Sequence, residues 1–232
     1  MKKLLIIPIL FLISQAFGAI AYVQSAGKDG TGPSDNLAYS GNVTAKSLLV
    51  VAARSGSSTV GLTGVSDTLT NTWARAIVTY DAAGHTQEIW WTQTTNGGAN
   101  TVTLTQSSGQ SLRFIIAEYS GFNTAAVDVS TSAINTNASP DSQSRTPTVD
   151  NTLAFSACEV NNDASFTQGS GYTKRQTVTT KISIEDKNVG SATSTNGTWT
   201  LGGSDDWIAS LVIFKDTAGG GPTLPTGKII FQ

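Results

Sequence analysis

Catalysis needs side chains that move protons, attack bonds or hold metals, and this chain has few of them. His85 is its sole histidine and lies in the turn Ala82-Ala-Gly-His-Thr86. It reads as a solvated turn residue. Cys158 is the sole cysteine, so no intramolecular disulfide can form. Its strand-like surroundings, residues 151–160, are those of a buried, inert thiol. No HxH, CxxC or calcium-loop spacing occurs, so no metal ligand and no cofactor is assigned. Asp205-Asp206 and Glu185-Asp186 are adjacent pairs whose side chains point to opposite faces of an extended chain. Nucleophile-elbow and phosphate-loop motifs are absent.

Two strand-borne glutamates, Glu88 and Glu118, are the pair to weigh for glycoside hydrolysis, which uses two carboxylates at a set separation. Glu118 follows Leu112, Phe114 and Ile116 on one apolar face, and a buried carboxylate requires a partner. Arg75, on a face with Trp73 and Ile77, is the expected partner. Both glutamates are read as structural, and no residue is assigned as catalytic. Trp90 is the one aromatic among polar neighbours, sharing a strand face with Glu88 and Thr92, while Ile89 and Trp91 point the other way. Sugar C–H surfaces stack on exposed indoles, which makes Trp90, Glu88 and Thr92 the candidate ligand-binding face. The competing role for Trp90 is to fill a second packed surface. Trp91, Trp207 and Tyr119 read as core.

These residues are carried by strands. Runs of five to ten residues rich in Val, Ile, Thr, Trp and Tyr alternate with Gly, Asn, Asp and Ser clusters, and helical periodicity is almost absent. The expected fold is all-β: an antiparallel two-sheet sandwich of jelly-roll type. Its strands come as one series used twice. KSLLVVAA, a strand at Trp73, QEIWW, NTVTL and LRFIIAEYS are followed by NTLAFSA, a strand at Tyr172, KISIED, GTWTL and WIASLVIFK. An internal duplication, or only the mutual likeness of sandwich strands, produces such a series. The expected halves are residues 19–134 and 148–216, sharing one core and joined by an exposed connection at 135–147.

The chain opens with Lys2 and Lys3, an apolar stretch Leu4–Ile13 and a small-residue segment Ser14–Ala21. The apolar stretch is too short to span a bilayer and reads as a secretory signal, residues 1–18, with cleavage before Ala19. A second cleavage point follows Ala21. Secretion or display at the cell surface is the expected localisation. Charged residues are 13% of the chain, against about 25% in typical soluble domains. Of 14 basic and 16 acidic residues, loss of Lys2 and Lys3 leaves a net charge of −4. With no basic run, nucleic acid is an unfavourable partner, and so is a membrane once the signal is removed. Residues 217–232 form a Gly-rich linker and a short tail, whose Lys228, Ile229, Ile230 and Phe231 suit self-association by strand addition.

The string Val65-Ser-Asp-Thr-Leu-Thr-Asn-Thr-Trp-Ala-Arg75, then Glu88-Ile-Trp-Trp91, then Ala117-Glu-Tyr-Ser-Gly121 resembles uncharacterised β-sandwich modules of predicted secreted bacterial proteins. Those carry a Gly-Asn-Thr-Trp turn, where this chain has Thr70 before Asn71. The resemblance implies a surface, adhesive or carbohydrate-associated role and no site residues. Together these observations lead to the expectation of a secreted, non-enzymatic structural, surface or assembly protein that contacts other protein chains or glycans. A carbohydrate-binding module is the alternative, and a hydrolase with a carboxylate pair stands behind both.

Overall fold

The computed structural model describes residues 19–57 and 59–217, so the expected signal and the Lys228–Phe231 contact lie outside the described residues. The described chain is all-β, with antiparallel pairing throughout.

The first half carries β1 (Ala21–Thr31), β2 (Ser34–Ala38), β3 (Leu48–Ser55), β4 (Leu62–Asp67), β5 (Ala74–Tyr80), β6 (Thr86–Gln93), β7 (Thr101–Gln106) and β8 (Ser111–Ser120). They form a five-stranded sheet in the order β1-β8-β3-β6-β5 and a three-stranded sheet in the order β2-β7-β4. The second half carries β9 (Ala125–Asn137), β10 (Thr152–Val160), β11 (Phe166–Gln168), β12 (Thr173–Val178), β13 (Ile182–Val189), β14 (Trp199–Leu201) and β15 (Asp205–Asp216). Its five-stranded sheet runs β9-β15-β10-β13-β12, and β14 pairs with β11. Matching β1 to β9, β3 to β10, β5 to β12, β6 to β13 and β8 to β15 makes the two sheet orders identical.

The correspondence extends to single residues. Leu48 pairs with Gln93 and Tyr119, and Leu153 pairs with Asn188 and Phe214. A bulge sits in β5 between Arg75 and Ile77, and its counterpart in β12 between Lys174 and Gln176. Another pair of matching bulges falls in β1 and β9, opposite Tyr119/Glu118 and Phe214/Ile213. Arg75 donates from its guanidinium to the Leu62 carbonyl, and Lys174 donates to the Phe166 carbonyl from the matching position.

The two five-stranded sheets pack face to face. Strands buried on both faces lose the polar alternation of half-exposed strands, which is why β3, β8, β10 and β15 read as continuous apolar runs. Alternate residues Leu48, Val50 and Ala52 of β3 meet Leu153, Phe155 and Ala157 of β10, with Ile89, Ile115, Ile184, Val212 and Phe214 filling the shared core. The remaining residues of the first sheet, Leu49, Val51, Phe114 and Ile116, turn outward onto Val102 and Leu104 of β7. Cys158, Trp207 and Ala209 turn outward onto Phe166 of β11 and Trp199 of β14. The fold is thus a sandwich whose two central sheets each carry a smaller outer sheet, four layers where two were expected.

Two boundaries differ from the sequence reading. β9, placed by sequence in the first half, pairs along its length with β15 and belongs to the second sheet. The segment expected as an exposed connection begins inside β9 and then bridges to the β14 region at Asp141–Thr198 and Arg145–Thr195, with Ser142 fully buried. It lies where β2 lies in the first half.

Candidate functional site

The face chosen from sequence is packed. Trp90 is 9% exposed and sits with Leu62, Trp73 and Phe114 between the first large sheet and its outer sheet. Its Nε1 donates to Glu88 Oε2 at 2.7 Å. Arg75 lies over the indole at 4.8 Å and pairs with the same Glu88 oxygen at 2.9 Å. Glu88 Oε1 accepts the Leu62 N–H at 2.5 Å. Burial raises the Glu88 carboxyl above its ordinary range, against the pull of those hydrogen bonds and of Arg75. Thr92 donates to the Thr72 carbonyl at 2.9 Å. Trp90, Glu88 and Thr92 are therefore brought onto one face as read, but that face is core and offers no exposed indole to a sugar.

The Glu118–Arg75 pair does not form. Sheet order puts β6 next to β5, so Arg75 meets Glu88 of the adjacent strand, while Glu118 lies two strands further along. Glu118 instead accepts from Thr44 N at 2.8 Å, Ser47 Oγ at 2.8 Å and Gln24 Nε2 at 2.6 Å, tying the β2–β3 loop and the edge strand β1 to the sheet.

The turn that carries the resemblance has a clear physical basis. Asp67 accepts the Asn71 N–H at 3.0 Å, the Asn71 side chain at 2.8 Å and Trp73 Nε1 at 3.1 Å. Thr70 has φ +60°, so this turn keeps the left-handed backbone that a glycine adopts freely. At the end of β8, Gly121 has φ +96°, and a Cβ there would lie 2.5 Å from the Ala19 carbonyl oxygen. Cys158 is fully buried and burial pushes its thiol well above the usual range, as the inert-thiol reading expected.

His85 departs from the sequence reading. It is buried, because the β5–β6 turn folds inward: Asp81 Oδ1 accepts the His85 N–H at 2.7 Å, and Oδ2 lies 3.4 Å from Nδ1. Beside them Glu159 of β10, fully buried, pairs with Arg54 Nε of β3 at 2.7 Å. Arg54 and Glu159 stand at equivalent places in the two halves, six residues beyond Leu48 and Leu153. Burial, reinforced by the charge of Arg54, lowers the His85 imidazole below its usual range, and burial raises Glu159 against the pull of Arg54. Asp81, His85 and Glu159 are the described residues whose donor atoms could together hold a metal ion. No spacing signal announces this grouping, since Glu159 is 74 residues from His85.

A groove of about 470 Å³ opens at the other end of β6, lined by Asn71, Thr72, Trp91, Thr92 and Asn96 among others. Trp91 is partly buried, its ring edge-on to Phe214 at 5.9 Å.

Protein-family models, curated proteins and solved structures yield no match to this chain.

Proposed function

We propose that the chain is an exported, non-enzymatic β module that serves as a structural or contact element outside the cell or at its surface. The observation that supports this reading best is that five carboxylates, two glutamates and three aspartates, are tied into the fold. Glu88 holds the start of β4 and the Trp90 ring, and Glu118 holds the β2–β3 loop. Asp67 holds the Asn71–Trp73 turn, Asp205 holds Asn162, and Asp186 holds Tyr119 and Arg175. Carboxylates whose oxygens are committed to backbone, side-chain and ring donors of the fold have no free oxygen to present to a substrate.

We read each half as jelly-roll-like, on the strength of β1-β8-β3-β6 opposing β2-β7-β4. All four edge strands of the two large sheets, β1, β5, β9 and β12, carry a bulge. Bulged edges resist indiscriminate strand pairing. This suits a module that must stay discrete at high local concentration and make its contacts through loops, outer faces or Lys228–Phe231. The test is turnover on a polysaccharide and peptide panel by the mature chain, with Glu88→Gln and Glu118→Gln beside it. The reading expects no turnover by any of the three. Turnover lost in either variant with the fold retained would overturn it.

Carbohydrate binding keeps a second reading through the groove, where the Trp91 ring adjoins hydroxyl and amide side chains. It expects glycan retention that survives Trp90→Phe and is weakened by Asn96→Ala and Trp91→Ala. Equal retention by Asn96→Ala and the parent would remove it.

A further inference from the structure

The turn between β5 and β6, residues 81–85, is longer than its counterpart between β12 and β13, residues 179–181. The added length lets Asp81 and His85 reach across the sandwich to Glu159 of β10. One donor atom from each of the three lies within 4.8 Å of the others, and all three residues are buried.

Two details make this more than an incidental polar cluster. Glu159 Oε2 is taken by Arg54, but Oε1 is enclosed and has no hydrogen-bond partner. A buried carboxylate oxygen left in that state carries an uncompensated desolvation cost, so it marks a place where a partner is missing. Asp81 likewise has Oδ1 committed to the His85 N–H, while its Oδ2 faces Nδ1 at 3.4 Å, beyond a good hydrogen bond. A carboxylate with one orphaned oxygen, a loosely engaged carboxylate and an imidazole thus lie side by side in the interior.

We propose that Asp81, His85 and Glu159 form a binding site for a divalent transition-metal cation of the zinc class, which clips the β5–β6 turn of the first half to β10 of the second. One nitrogen and two carboxylate oxygens suit zinc and its neighbours. Calcium, which takes six to eight oxygens, is disfavoured. Two carboxylates balance the charge of the ion. Arg54 then acts as the outer partner that orients a ligating carboxylate, a common arrangement around metal ligands. Metal–ligand bonds of about 2.0–2.2 Å require the three donors to draw closer than 4.8 Å. Ala82 and Ala83 at the tip of the turn are exposed, so core packing does not hold the tip in place.

The experiment uses the mature chain without an affinity tag, stripped by chelator, dialysed and titrated with zinc chloride at pH 7. Calorimetry and thermal unfolding are read together. The expected result is one zinc ion per chain, a higher Tm with zinc, and at least tenfold weaker binding in His85→Ala and in Asp81→Asn. Cobalt(II) binding to the parent should give visible d–d bands of a low-coordinate site, a readout that needs no variant to fold. Absence of zinc binding and of cobalt bands in the folded parent overturns the proposal. So does zinc binding of undiminished affinity in a folded variant.

Discussion

Glu185 offers a pH-dependent test of how this fold treats its buried acids. It lies on β13, fully enclosed, with Oε2 accepting the Gly169 N–H at 2.9 Å and Oε1 without a partner. Burial pushes its carboxyl up to about 8 from 4.5. A raised acid keeps its proton in the folded chain at pH values where the unfolded chain has lost it. Its stabilising contribution is therefore complete below about pH 4.5, declines as pH rises, and is gone above about pH 8. Three and a half pH units at about 1.36 kcal/mol each set the loss at about 5 kcal/mol. Glu185→Gln replaces the acid with a neutral amide of the same shape and retains an oxygen for the Gly169 N–H. Urea denaturation of parent and variant, at intervals from pH 4.5 to 9, isolates this group together with its electrostatic neighbours, because titrations of groups that do not interact with it cancel in the difference. The two proteins should match near pH 4.5, and the variant should gain steadily up to about pH 8 and then hold its advantage. Parallel stability curves, or a variant less stable than the parent at pH 8, would refute the argument.

Phe155→Ala should cost about 3–5 kcal/mol in chemical denaturation, since the ring is fully buried between the large sheets and meets Tyr119 edge-on at 6.2 Å. The unfolding transition should remain single, because both halves contribute to that core; two separated transitions would show that they do not share it. Thr70→Gly should raise stability by about 1 kcal/mol, as a β-branched residue is strained at φ +60° and glycine is not; a fall in stability would show that the Thr70 side chain contributes more than its strain costs. Cys158 should resist thiol reagents in the folded protein and react on unfolding, and rapid labelling of the native chain would contradict its burial.

The legible and illegible parts of this fold differ in a physical way. Strands β3, β8, β10 and β15 stand out because burial on both faces demands unbroken apolar runs. The repeat was legible for the same reason: these strands recur in the same order. β9 was missed because it is an edge strand of small and polar residues, AAVDVSTSAINTN, half-exposed along most of its length. The four-layer arrangement was hidden because nothing in a strand's sequence says which neighbour lies above it. At the candidate site the face assignment of Glu88, Trp90 and Thr92 followed from strand alternation, and Trp90 proved to fill the second packed surface named as its competing role. The partner of Arg75 could not be read, since it depends on β6 lying between β3 and β5. The burial of His85 could not be read either, since the residues that enclose it, Arg54 and Glu159, come from strands far away in the chain.

The most direct test of the account is where the chain resides and how it begins. Protein collected from the culture medium and cell surface of the source organism should contain this chain starting at Ala19, identified by mass spectrometry of its N-terminal peptide. A chain found only inside the cell, still carrying Met1–Gly18, would contradict it.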